Sequence, residues 1–257
     1  MLLVVDVGNT NIAVGAFAGN DLKGSWRLNT VIGKTSDEYG VQIVGFLQQA
    51  GLSVEQCTDV IVSSVVPPLA RAIHDFATKY LGHTPILIDP HRVPGVAVEI
   101  DRPEEVGADR VVNTAAAFVR HGGPCIVIDF GTATTFDVVS SEGNYVGGAI
   151  APGLGLATEA LVAQASRLYR VEFEPPATVV GKSTIHAMQS GIMLGYLSLV
   201  EGMIERLHSE LGRCKVVATG GFAQLFARHT SVIDAVDPNL TLEGLRVIYE
   251  RLNQERQ

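Results

Sequence analysis

Cysteine is scarce in this sequence, and what there is lies scattered. Cys57, Cys125 and Cys214 are widely spaced and have no CxxC partner, so neither a zinc site nor a disulfide framework is indicated. A reducing cytoplasm is the expected compartment. Basic charge is also in short supply: 19 Lys and Arg against 27 Asp and Glu leave a formal net charge of -8, which argues against a general nucleic-acid binder. No apolar run reaches the roughly 20 residues of a membrane span. Met1 to Val5 lacks a basic n-region and soon meets Asp6, so neither a signal peptide nor a membrane anchor is expected. Seven histidines are present, none at metal-ligand spacing from another. Charged residues make up only 18% and apolar ones 47%, the composition of a compact globular protein. Its 257 residues are enough for one large core or two ordinary ones.

The stretch Leu2 to Phe17 organises the rest. Leu2 to Val5 is a continuous apolar run, as in a strand covered on both faces. Asp6 sets a carboxylate at the strand's end, Gly8 removes the Cβ that would block close backbone approach, and Asn9, Thr10 and Asn11 supply short donors before the strand resumes at Ile12. That chemistry suits an anion and its metal. Ile126 to Val139 repeats the pattern, with Asp129 at a strand end, Gly131, and the hydroxyls of Thr132, Thr134 and Thr135. Internal duplication of this kind implies two related lobes, with a boundary drawn between residues 115 and 116.

Between the two copies, Thr35 to Glu38 has capping-box form and opens a helix bearing Tyr39, Ile43, Phe46 and Leu47. Asp59 to Val66 is a strand, and Pro67-Pro68 opens a helix. A long loop, His91 to Glu105, leads to Gly107-Ala108-Asp109-Arg110 at a helix start. Asp109 there is either an acid complementing the helix dipole beside Arg110 or a functional carboxylate. Its place between two phosphate-like turns, after a long loop, favours the second.

Further on, Gly181-Lys182-Ser183-Thr184 has the ending of a Walker A loop, but the motif's first glycine would fall at Pro176, which excludes a P-loop. The following helix, about Thr184 to Leu211, carries an apolar stripe wide enough either for its own core or for that core and a second subunit. Gly220-Gly221, after the strand Lys215 to Thr219, is either a close approach to a nucleotide or a simple tight turn.

Asp6 to Asn11, Gly107 to Arg110, Asp129 to Thr135, Gly181 to Thr184 and Thr219 to Phe222 occur in the order found in type III pantothenate kinases, and the chain resembles that family over nearly its whole length. The resemblance implies an α/β fold of the acetate and sugar kinase, heat-shock ATPase and actin type: two ribonuclease-H-like lobes, 1–115 and 116–257, with a nucleotide cleft between them. It implies a cytoplasmic homodimer that phosphorylates pantothenate from ATP with Mg2+, requires a monovalent cation, K+ or NH4+, and binds neither nucleic acid nor membrane. By position, Asp6, Val7, Gly8, Asn9, Thr10, Asn11, Ile12 and Ala13 form an ATP phosphate loop, with Asp6 beside the Mg2+, and Thr132 contacts ATP from the second turn. Asp129 is similar to the family's monovalent-cation ligand. Gly107, Ala108, Asp109 and Arg110 match its pantothenate segment, with Asp109 as proton acceptor, and Thr184 matches a substrate contact across the dimer. Where relatives often carry a tyrosine, this chain has Ile100, which cannot donate a phenolic hydrogen bond. The alternatives are a sugar or short-acid kinase of the same fold, or a non-catalytic ATP-binding regulator.

Overall fold

The computed structural model describes residues 1–165, 168 and 170–255. Strand β1 (Leu2–Val7) pairs on one side with β2 (Asn11–Ala18), antiparallel, and on the other with β4 (Asp59–Ser64), parallel. Strands β3 (Asp21–Asn29) and β5 (Ile86–Leu87) complete the order β3-β2-β1-β4-β5. The even alternation of strand side chains divides β1 between two cores. Leu3, Val5 and Val7 enter one cluster with Tyr39, Ile43, Leu69 and Phe76; Leu2 and Val4 enter another with Val111, Val112 and Leu245.

Helices cover both faces. Helix α1 (Ser36–Gln49) begins with the expected capping box: Glu38 N–H donates to Thr35 Oγ1 at 3.3 Å, and Thr35 N–H donates to Glu38 Oε2 at 2.8 Å. Helix α2 (Pro67–Phe76) starts on its two prolines, whose missing N–H groups would have lacked helical partners anyway. Helix α3 (Ala108–His121) follows the long loop.

The second sheet is built from β6 (Cys125–Phe130), β7 (Ala133–Val139), β8 (Tyr145–Pro152), β9 (Lys215–Gly220) and β10 (Ala235–Val236) in the order β10-β9-β6-β7-β8. Its core gathers Ile126, Ile128, Phe130, Phe136, Tyr196, Val200, Ile204 and Phe226, with the Phe130 and Phe226 rings stacked at 4.8 Å. Helix α4 (Leu154–Gln164) follows β8. The long apolar helix is α5 (Thr184–Gln189), a π-helical turn over Ser190–Leu194, and α6 (Gly195–Leu211). Helix α7 (Ala223–Ala227) follows β9.

The last helix, α8 (Leu240–Glu255), returns to the first unit and packs on α3. Arg246 anchors it: its guanidinium donates to Glu243 Oε2 at 3.0 Å, to Glu250 Oε1 at 2.7 Å and to Asn20 Oδ1 at 2.8 Å in the β2–β3 turn. The chain therefore divides by contact into residues 1–122, 139–147 and 239–257 on one side and 123–138 with 148–238 on the other. A single cut at 115/116 does not describe this grouping. It would pass through the middle of α3, whose buried face runs unbroken to Ala117, and would detach α8 from the helix it covers. No helix among the described residues is long and apolar enough to cross a membrane.

Candidate active site

In the first unit, Asp6 is the last residue but one of β1 and half-buried. It shares one face of β1 with Leu2 and Val4, so its side chain lies on the face covered by α3 and α8. The turn that follows is closed by Gly8 N–H donating to the Asn11 carbonyl at 3.0 Å. Thr30, at the end of β3, buttresses it from outside: its Oγ1 donates to the Gly8 carbonyl at 2.6 Å, and its N–H donates to the Thr10 carbonyl at 2.9 Å. Asn9, Thr10 and Asn11 stand exposed at the tip, whereas Val7 and Ile12 are buried in the core. A ligand at this turn thus meets polar side chains at the tip and only main chain from Val7 and Ile12.

Asp109 is brought to the same end of the first sheet. Val65, the residue after β4, donates its N–H to the Val7 carbonyl at 3.1 Å, and its Cγ1 lies 3.6 Å from where a Cβ on Gly107 would sit. Gly107 caps α3 without a side chain, leaving room for Asp109 Oδ1 to fold back and accept the Arg110 N–H at 2.9 Å. The carboxylate is half-buried. Loss of water around it pushes its pKa above the usual carboxylate value, an effect that the Arg110 N–H and guanidinium only partly offset. Such a carboxylate is a stronger base than an exposed one, and the helix N-terminus favours its anionic form.

In the second unit the duplicated turn is one residue shorter. Gly131 N–H donates to the Ala133 carbonyl at 3.0 Å, and Gly153 N–H, at the start of α4, donates to the Thr132 carbonyl at 3.1 Å. Of the three hydroxyls in the repeated pattern, only Thr132, the one assigned to ATP, is exposed. Thr134 is buried and hydrogen-bonded to the Tyr196 hydroxyl, which also donates to the Pro152 carbonyl at 2.8 Å; Thr135 donates to Asp137 Oδ2 at 2.7 Å. Asp129 occupies the place in β6 that Asp6 holds in β1, each followed two residues later by glycine. Its neighbour across the parallel pair is Thr219, and Gly220 turns the chain away with φ +89°. A Cβ on Gly220 would stand 2.6 Å from Asp129 Oδ1 and 2.6 Å from the Phe130 carbonyl, so the tight turn exists to clear that carboxylate. Thr184, exposed, is the first residue of α5, whose N-cap Ser183 accepts the His186 N–H at 3.3 Å.

Among the described residues no three His, Cys, Asp or Glu side chains gather as a metal cage. Magnesium carried on a nucleotide keeps several waters and takes one or two carboxylates with its phosphates; Asp6 is the carboxylate at the strand end before the Gly8 turn. Burial pushes the Cys125 thiol up to about 12, which leaves it protonated and inert.

Two mixed sheets, each ending in an Asp-x-Gly turn, define an α/β protein of the sugar-kinase and actin-like ATPase fold. Solved structures agree: the activator of 2-hydroxyisocaproyl-CoA dehydratase from Clostridium difficile with bound ADPNP (TM-score 0.56, 12% identity, 99% of this chain and 97% of that one) and component A of (R)-2-hydroxyglutaryl-CoA dehydratase from Acidaminococcus fermentans (0.57, 14%, 98% of each) share it. At those identities they speak to the fold alone. The sequence profile of type III pantothenate kinases matches residues 2–206, and the type III pantothenate kinases of Moorella thermoacetica and Brevibacillus brevis are each 50% identical over 252 residues, 98% of this chain and 99% of theirs. The chain belongs to the type III pantothenate kinase family, and is an ATP-dependent kinase that works with a divalent metal.

Proposed function

We propose that the chain transfers the γ-phosphoryl group of ATP to the primary hydroxyl of pantothenate, the first step of coenzyme A synthesis, with Asp109 as the proton acceptor. The observation that carries this reading is the Asp109 carboxylate, desolvated at the N-terminus of α3 and tied through Val65 to the sheet end that bears the Gly8 turn. Phosphoryl transfer asks a protein chiefly to align the nucleophile and to stabilise charge on the transferred group. Asp6 to Ala13 and Thr132 bind ATP, through main-chain N–H groups and the hydroxyls of Thr10 and Thr132. The divalent ion that accompanies ATP would offset phosphate charge when bound, and Asp6 would help to hold it. Asp129 holds a monovalent cation, K+ or NH4+. Gly107 to Arg110 bind pantothenate, and Asp109 both orients its hydroxyl and takes the proton as the O–P bond forms.

Thr184 reaches pantothenate in a homodimer, and the enzyme works in the cytoplasm. The exposed apolar side chains of the second unit support the dimer: Ile150, Leu156, Val179, Val180 and Ile185 are all half or more uncovered. The test is phosphorylation of pantothenate by the purified protein with ATP and magnesium, in potassium and in sodium buffer. Turnover that needs potassium is expected. A folded protein that binds ATP and phosphorylates a sugar or short acid instead would overturn the reading.

A further inference from the structure

Tyr145, the first residue of β8, is 2% exposed and makes polar contacts through both its main chain and its ring. Its N–H donates to the Ala97 carbonyl at 2.9 Å, and its carbonyl accepts the Glu99 N–H at 2.8 Å. Those two bonds form a parallel bridge with Val98, inside the long loop that runs into Gly107. Asn144 reinforces the bridge, its Oδ1 accepting the Ala97 N–H at 3.0 Å and its Nδ2 donating to Glu99 Oε1 at 2.7 Å. The phenol of Tyr145 meets a later residue, Arg110. Its oxygen accepts a hydrogen bond from Arg110 Nη1 at 3.2 Å. A buried phenol in an otherwise apolar cluster with Val96, Val106 and Val111 carries a desolvation cost that phenylalanine would avoid. The Arg110 contact gives that oxygen a charged partner.

We infer that Tyr145 is a positioning residue for the acceptor substrate: its main chain pins the loop leading into Gly107–Arg110, and its phenol holds the Arg110 guanidinium in the orientation that receives pantothenate. This rests on the reading of Arg110 as a pantothenate-binding residue. The ligand group concerned is an anion or carbonyl oxygen, which a guanidinium fork recognises with fixed geometry only when its own rotamer is held. Pantothenate, which bears a carboxylate and an amide, offers both.

Tyr145→Phe removes one oxygen and keeps the ring and the loop bridge. The expected result is a pantothenate KM raised roughly tenfold, the scale of one hydrogen bond to a charged group, with kcat and the KM for ATP within about twofold. Calorimetric titration of pantothenate into the full-length protein is expected to show the same loss without turnover. A merely structural tyrosine would lower thermal stability and shift all three kinetic constants together, which overturns the inference. Arg110→Gln and the double variant separate this inference from the reading beneath it. Because Tyr145 acts through Arg110, Tyr145→Phe is expected to cost nothing further in the Arg110→Gln background. If the two effects multiply, or if Tyr145→Phe leaves KM unchanged while Arg110→Gln raises it, the inference falls and the role of Arg110 stands. If Arg110→Gln leaves pantothenate binding intact, the reading of Arg110 falls and takes the inference with it.

Discussion

Gly107 and Asp109 share one space: a Cβ on Gly107 would fall on Oδ1 of Asp109, so the carboxylate can fold over the start of α3 only because residue 107 has no side chain. The Gly107 backbone is extended, not left-handed, at φ -73° and ψ 144°, and alanine there meets no backbone strain. Gly107→Ala is therefore expected to fold normally and to displace the carboxylate. Misplacing a catalytic group by about 1 Å costs on the order of 10²-fold in rate. Steady-state kinetics with a thermal melt decides it: near-normal kcat in the folded variant would show that the close approach has no functional weight.

Asp109→Asn tests the base directly. Removing a general base lowers kcat by roughly 10²–10⁴-fold, with little change in ATP affinity. Stability moves the other way. The unfolded carboxyl titrates near 3.8, and burial raises the folded value. Below 3.8 both states are protonated and burial carries no electrostatic cost. As pH rises from there towards the raised folded value, the unfolded chain ionises first and stability falls. That loss is present in full above the raised folded value, so the asparagine variant is expected to melt higher at neutral pH, with the gap closing on acidification. In the native enzyme the acid limb of kcat/KM should bend above 3.8. A variant that melts lower at neutral pH would contradict the burial argument.

The second strand end makes a separate prediction. Asp129→Ala is expected to raise the potassium concentration needed for half-maximal activity, because the proposed cation loses its carboxylate. Gly220→Ala should do so indirectly and also destabilise the fold. At φ +89° an L-residue is strained, by about 1–2 kcal/mol, and its Cβ would press on Asp129 Oδ1 and the Phe130 carbonyl. A potassium titration of each variant checks the assignment, and an unchanged requirement in Asp129→Ala would remove the cation from this site.

What was legible in the sequence was local or repeated. The Thr35–Glu38 capping box spans three residues, and the two Asp-x-Gly strand ends announce each other by duplication. The contacts that support the site are neither. Thr30 reaches Gly8 from 22 residues away, Tyr145 reaches Arg110 from 35, and Arg246 reaches Asn20 from 226. No periodicity or spacing encodes such pairings, because they depend on strand register and on the return of α8 to the first unit. The directions of the Thr134 and Thr135 hydroxyls were not legible for a related reason. They sit in β7, where burial and the pleat, rather than the neighbouring Gly-Thr turn, decide where each hydroxyl points.

The proposed role of Thr184 links activity to assembly. The residue opens α5 exposed and lines an apolar hollow of about 500 Å³ with Leu154, Leu161, Met188, Ile192 and Leu199. Within its own unit the hydroxyl has the first turn of α5 beside it, and nearby Val179, Val180 and Ile185 are 73%, 76% and 53% exposed. Such side chains are expected to be covered in the working enzyme. If Thr184 meets pantothenate in the partner's site, specific activity should fall as the protein is diluted through the dimer dissociation range, and should fall in step with mass measured on the same samples. Thr184→Val is expected to raise the KM for pantothenate without shifting that dissociation. Constant specific activity in samples shown by mass to be monomeric would place Thr184 outside catalysis, and would leave the apolar surface of the second unit without a role in turnover.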